Sequence, residues 1–309
     1  MTGARIVIAG AHGFMGSRFA QLYRMAGDTV RTIGRRHADA VWGDTQAIAR
    51  AIDGADVLVN LAGKSVNCRY NDRNRAEIFR SRLETTAELG RAVAAAGAPP
   101  PLWLNASTAT IYRHADDRPQ TEDDGEIGKG FSVEVATSWE RTFFDAAREG
   151  VRQVAMRTAI TLGDGSALTP LVGLARVGLG GPQLGGLSGG GRQRFSWVHL
   201  DDVFRAMRFL ETSDLGGVVN ITSPNPSTNR EVMATLRRVL GVPIGIPLPR
   251  VALEAGALVL RTETELILKS RWVLPKRLLD AGFVFEYPEL EDALRQILTR
   301  EVAPARSGG

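Results

Sequence analysis

The stretch Arg5-Ile6-Val7-Ile8-Ala9-Gly10-Ala11-His12-Gly13-Phe14-Met15-Gly16 decides how this chain folds. Arg5–Ala9 is a β-branched run of strand length, and a regularly spaced set of glycines follows it directly. Residues 17–26 then place Phe19, Leu22, Tyr23 and Ala26 on one helical face. Strand, glycine turn and helix in that order open a βαβ unit. In such a unit Gly10 permits the tight turn, Gly13 lets backbone N–H groups approach a pyrophosphate, and Gly16 lets the helix pack on the strand. The helix N-terminus, with Phe14 and Met15 in its first turn, would present partial positive charge to the phosphates of a dinucleotide.

Outward from this motif the same alternation continues. Residues 29–33 read as a second strand, and Gly34-Arg35-Arg36 follows where NAD-preferring folds place an acid. Arginines there suit a 2′-phosphate through forked, charge-assisted hydrogen bonds, so NADP is expected rather than NAD. Gly43-Asp44 ends the next strand; Asp44 is a candidate for the adenine amino group or a cap for the following helix. Residues 55–61 form an apolar strand ending in Asn60-Leu61-Ala62-Gly63, which also faces the ligand end of the sheet. A polar helix over 72–96, a strand over 102–106, a helix over 133–148 and a strand over 153–157 complete the series.

The fold class is therefore α/β, a Rossmann-type doubly wound parallel sheet with a smaller C-terminal lobe. The dinucleotide domain is expected over 1–162, with 195–221 returning to it; 163–194 and 222–309 would form the substrate lobe. Residues 178–194 hold eight glycines and read as a long mobile loop, either a lid or a linker. Beyond it, a strand over 195–200, a helix opened by Asp201 and Asp202, a strand over 218–221 and helices near 230–240 and 288–298 are expected.

Composition excludes several classes. The chain has 309 residues, 44% hydrophobic and 23% charged, which suits an ordinary globular core. The net charge of +4 comes from scattered arginines rather than a dense basic block, so nucleic acid is not an expected partner. Cys68 is the single cysteine, which rules out an intramolecular disulfide. The longest apolar run, 251–260, contains Glu254 and is too short to span a membrane, and the first apolar run is no secretory signal; a cytoplasmic protein is expected.

Four further pieces extend the pattern: Asn60-Leu-Ala-Gly63, Ser107-Thr108-Ala-Thr-Ile-Tyr112, Ser196-Trp-Val-His-Leu-Asp-Asp202 and Val219-Asn-Ile-Thr-Ser-Pro224. With Ser81-Arg82, Trp139-Glu140, Leu179-Gly-Gly181 and the tail from Leu274-Pro275 to Tyr287-Pro288, the chain resembles the extended short-chain dehydrogenases/reductases. It is most similar to their atypical, NAD-dependent epimerase/dehydratase-like group, over roughly residues 4–298. The resemblance implies that Thr108 matches the Ser/Thr that hydrogen-bonds the reacting oxygen. It also implies a Tyr-x-x-x-Lys pair on the next helix and, commonly, a homodimer formed through helices matching 72–96 and 133–148. The positions matching that pair are Ser132 and Ala136, and no lysine lies between Lys129 and Lys269. Neither residue can transfer a proton as the pair does.

Substitutes are therefore sought nearby. Tyr112 is the candidate acid or base, with His114 and His199 as weaker ones. Lys64, Ser65, Asn67, Arg82 and Arg192 could line an anionic substrate, and Arg157 ends a strand beside the expected nicotinamide. Two readings stay open. One is an NADP-dependent oxidoreductase or epimerase acting on a small carbonyl, alcohol or sugar-like substrate. The other is a dinucleotide-binding regulatory or scaffold protein that has lost catalysis.

Overall fold

The first strand, β1 (Arg5–Ala9), is β-branched and buried from Ile6 onward because it runs through the middle of a sheet. The computed structural model describes residues 3–166, 168–184, 190–249 and 270–302. They include β2 (Thr29–Gly34), β3 (Ala40–Val41), β4 (Val57–Asn60), β5 (Leu102–Thr108), β6 (Arg152–Thr158) and β10 (Gly217–Ile221). These strands and β1 form a seven-stranded sheet in the order β10-β6-β5-β4-β1-β2-β3. β3, β2, β1, β4 and β5 run parallel. Ala9 pairs with Ile33 on one side and Asn60 on the other, so the chain leaves β1 where the strand order reverses. In open α/β sheets that reversal opens a ligand crevice.

The helices flanking these strands are α1 (Phe14–Met25), α2 (Thr45–Ile52), α3 (Asp72–Ala95) and α4 (Phe131–Phe144). α1 buries Phe19, Ala20 and Tyr23, but Ala26, expected on that face, is exposed. The helix stops there because Gly27 turns the chain at φ +88°. α4 ends four residues short of the expected boundary. Arg148 Nη1 instead donates to the carbonyls of Val93, Ala94 and Ala96, satisfying acceptors left open at the end of α3.

The chain divides into two compact units. The first comprises Met1–Ile111, Lys129–Arg157 and Ala206–Val219, and the second Tyr112–Gly128, Thr158–Arg205 and Asn220–Gly309. Within the second, β7 (Ile160–Leu162) pairs with β9 (Trp197–His199), and β8 (Arg194–Phe195) pairs with β11 (Ser227–Thr228). Of the 195–221 stretch, only β10 joins the seven-stranded sheet. The expected strand over 195–200 is split at Ser196, whose hydroxyl donates to Arg271 O at 2.7 Å while accepting from Val273 N at 2.9 Å.

A core of Leu162, Leu171, Val172, Trp197, Met233, Leu236 and Leu294 is built with α5 (Leu168–Arg176), α7 (Asn229–Leu240) and α9 (Leu290–Val302). α6 (Leu200–Thr212) and α8 (Lys276–Asp280) complete the described helices. Asp202 does not cap α6, as expected, but is fully buried and accepts from the backbone N–H groups of Glu286 and Tyr287. His199 takes the cap instead, accepting from Asp201 N at 3.1 Å. The apolar run 251–260 and residues 185–189 of the glycine-rich segment lie outside the described residues.

Candidate dinucleotide and substrate site

The first unit gathers most of the sequence-derived site along the carboxyl ends of its strands. Gly10 has φ +84°, and a Cβ there would lie 2.8 Å from Ala62 N and from the Leu61 carbonyl. A Cβ on Gly16 would stand 2.3 Å from Gly10 O. Both glycines are thus required by close backbone approach. Gly13 is different: its nearest obstacle is Gly10 O at 3.4 Å, and it is exposed. It is also the N-cap of α1, with no side-chain cap and no acid in the first turn. The first N–H groups of α1, at Phe14 and Met15, thus stand at an exposed, electrically positive end. An anionic pyrophosphate fits that cradle.

Past β2, Arg35 and Arg36 are both exposed. The acid that follows them in sequence, Asp39, is turned back onto the strand, accepting from Thr32 N at 2.7 Å and Thr32 Oγ1 at 2.8 Å. Those bonds hold its carboxyl below the usual range, the hydroxyl contributing most. Sequence reasoning passed over His12. Its ring lies over the end of β2, where a Cβ on Gly34 would sit 3.5 Å from His12 Nδ1. The signal was a side chain at the crest of the glycine turn, legible only once β1 and β2 are paired. Asp44 caps α2 through Oδ1, which accepts from Ala47 N at 2.9 Å.

A buried polar network holds the segment after β4. Asn60 Nδ2 donates to Asn105 Oδ1 at 2.7 Å and Thr86 Oγ1 at 3.0 Å, while its Oδ1 accepts from Ala62 N at 3.0 Å. Trp139 Nε1 donates to the same Thr86 hydroxyl at 2.9 Å. The ends of β4 and β5, α3 and α4 are thereby locked together, and Leu61, Ala62 and Gly63 are set in place.

Ser81 and Arg82 then grip the next peptide from both sides. Lys64 N donates to Ser81 Oγ at 2.9 Å, and Arg82 Nη1 donates to Lys64 O at 3.0 Å. The Lys64 ammonium is neutralised by Glu77 at 2.7 Å. Ser65 and Asn67 are exposed beside it, and Ser65 Oγ accepts from Asn67 N at 3.2 Å.

Thr108 ends β5, half-buried, with its Oγ1 3.0 Å from Thr110 Oγ1; either hydroxyl can donate. Among the described residues, no general base hydrogen-bonds it. One residue earlier, Ser107 Oγ donates to Glu140 Oε1 at 2.5 Å. Arg157 completes that cluster through Nε to Oε1 and Nη2 to Oε2, each at 2.8 Å. Arg157 thus acts on the protein itself through its side chain, a pairing that sequence reasoning did not find. At the positions matching Tyr-x-x-x-Lys, Ser132 Oγ is buried without a partner and Ala136 is fully buried.

Two expected residues belong to the second unit. Tyr112 is 1% exposed and donates to Asn220 Oδ1 at 2.9 Å, its ring lying against Gly125. Asn220 Nδ2 in turn donates to Leu274 O at 3.0 Å. The phenol expected as an acid or base is thus buried and bonded to Asn220. Arg192 is exposed within the glycine-rich segment. His114 accepts from Ser270 N and His199 pairs with Gln296, so both histidines have structural partners. No helix among the described residues is long and apolar enough to cross a membrane.

Comparison with known proteins agrees with the fold. The model of the NAD dependent epimerase/dehydratase family matches residues 6–222, and that of a domain of unknown function, DUF1731, matches 248–297. The cattle epimerase family protein SDR39U1 is 33% identical over 95% of this chain and 99% of its own length. Bacillus subtilis YfhF, another epimerase family protein, is 30% identical over 95% of this chain and 97% of its own. The crystal structure of human SDR39U1 with NADPH superposes with a TM-score of 0.85 at 30% identity, covering 96% of this chain and 99% of that one.

Proposed function

Because the chain belongs to the NAD-dependent epimerase/dehydratase family, we propose that it binds NADP(H) and acts as an oxidoreductase or epimerase on a small carbonyl, alcohol or sugar-like substrate. The observation that carries this reading is the uncapped N-terminus of α1 behind the Gly10–Gly16 crest. Gly13, Phe14 and Met15 would hold the pyrophosphate through their N–H groups. Arg35 and Arg36 would take the 2′-phosphate, with Asp44 toward the adenine and Leu61, Ala62 and Gly63 lining the ribose side. The human relative solved with NADPH supports the choice of cofactor.

When bound, that cofactor supplies or accepts a hydride. Thr108 would hold the substrate oxygen in reach of it by a hydrogen bond. Tyr112 is assigned to holding Asn220 rather than to proton transfer. The absence of Tyr-x-x-x-Lys at Ser132 and Ala136 favours one rival, a dinucleotide-binding regulatory protein without turnover.

Calorimetric titration with NADPH, NADP, NADH and NAD in parallel tests the reading. Preference for the phosphorylated pair by about tenfold or more, roughly 1.4 kcal/mol, is the expected result. Equal affinity for all four removes the assignment of Arg35 and Arg36, and no binding removes the site. Selective binding without turnover across a panel of carbonyl substrates would favour the regulatory reading.

A further inference from the structure

We infer that Arg82 is an oxyanion receptor for the substrate, and that the substrate of this site therefore carries a carboxylate or phosphate group. The inference rests on the reading of this crest as a dinucleotide and substrate site and adds the charge of the molecule that enters it.

Arg82 projects from α3 beneath Gly63, where a Cβ would lie 3.1 Å from its Cζ. Gly63 needs no unusual backbone angle, for its φ is not positive. Its missing side chain instead leaves the guanidinium approachable from the exposed face of the loop. Nη1 is occupied by two carbonyls, Lys64 O at 3.0 Å and Ile78 O at 3.2 Å. The plane also lies 5.1 Å from the Trp139 ring, which orients it. No carboxylate among the described residues pairs with it. Glu77, five residues earlier on the same helix, is engaged with Lys64.

The guanidinium is therefore a half-buried charge balanced only by carbonyl dipoles and a ring face. Burial pulls its pKa down to about 10, against weaker opposition from Tyr70 and Cys68. It stays charged at neutral pH while having lost much of its hydration. A charge in that condition gains most from a forked oxyanion, which restores two strong hydrogen bonds and neutralises it. Two other arginines of the unit have carboxylate partners: Arg157 has Glu140, and Arg208 has Asp28 and Glu211. Beside Arg82, Val66, Tyr70, Phe79 and Phe131 form an apolar cluster. An organic anion, with its charged end on Arg82 and its carbon skeleton against that wall, matches both surfaces.

The test labels Arg82 with phenylglyoxal and follows the modified peptide by mass spectrometry, using protein already saturated with NADPH. Saturation is established first by fluorescence titration, so a failed dinucleotide site is detected separately. Malonate and inorganic phosphate serve as the probes. The expected result is that either anion slows labelling of Arg82 by about fivefold, equivalent to roughly 1 kcal/mol, with Arg80 and Arg91 unaffected. Arg82→Lys, which keeps the charge but loses the fork, should bind malonate more weakly by calorimetry, and Arg82→Gln should lose it.

Unchanged labelling with both anions overturns the inference. If NADPH alone shields Arg82 and the anions add nothing, the guanidinium serves a phosphate of the cofactor, and the assignment to substrate is wrong. Both labelling arms use the unaltered protein, so poor folding of a variant leaves them readable.

Discussion

Replacing Glu140 by glutamine is the sharpest single perturbation of the candidate site. The carboxylate receives three hydrogen bonds, from Ser107 Oγ and from Arg157 Nε and Nη2. It is 7% exposed and Arg157 is 8% exposed, so water replaces little of what is removed. The amide keeps one acceptor but turns an NH2 toward a guanidinium nitrogen and removes the carboxylate charge that lies 2.8 Å from Arg157. Stranding one member of a buried pair costs about 3–5 kcal/mol. For a unit of this size that corresponds to a loss of roughly 10 °C in Tm.

The assay is thermal unfolding followed by circular dichroism, alongside the double variant Glu140→Leu with Arg157→Met. That pair removes both charges, and its loss should be the smaller of the two despite the larger change in sequence. A single variant within about 1 kcal/mol of the parent would refute the reasoning. So would a double variant as damaged as the single one, because the penalty would then not arise from a stranded charge.

Gly16→Ala should weaken NADPH by about tenfold or more in fluorescence titration, because its Cβ would stand 2.3 Å from Gly10 O and force the crest to open. Arg35→Ala with Arg36→Ala should lose about 2 kcal/mol of NADPH affinity and little for NADH in calorimetry, the two side chains being exposed and partly screened. Equal losses for both cofactors would contradict the 2′-phosphate assignment. Burial pushes the Glu122 carboxyl up, although it accepts from Asn220 N at 2.8 Å. The folded protein therefore holds that proton more tightly than the unfolded chain, and stability is lost as pH rises through the folded value. Glu122→Gln should accordingly gain Tm over the parent at pH 8, with the advantage vanishing near pH 4; a constant difference across that range would remove the carboxyl as its cause.

The parts of the fold that could be read from the sequence are those whose pattern is local. The run Ile6–Ala9 is apolar because β1 is covered on both faces, and Gly10 and Gly16 follow because backbone meets backbone there. α5 escaped that reading. Pro170 and Gly173 punctuate it, although Leu168, Leu171, Val172 and Ala175 bury one face at helical spacing. The end of α4 depended on Arg148 reaching the carbonyls of α3, which no periodicity records.

The candidate site divides in the same way. Glycines and arginines announced themselves by type and place, whereas the roles of Glu140, Arg157 and Tyr112 follow from partners distant in sequence. Tyr112 shows the hazard most plainly. Its position just beyond a strand end suggested access, but Asn220, 108 residues away, takes its hydroxyl.

The bare end of α1 has a further consequence for how the protein persists. The N-cap Gly13 offers no side chain to this end, so a ligand seated on the crest adds to the free energy of folding as RT ln(1 + [L]/Kd). At a hundredfold excess over Kd that amounts to about 2.7 kcal/mol, enough to alter the fraction exposed to proteolysis many times over. The amount of intact protein in a cell would then follow the local supply of reduced and oxidised dinucleotide, making its own turnover a gauge of cofactor abundance.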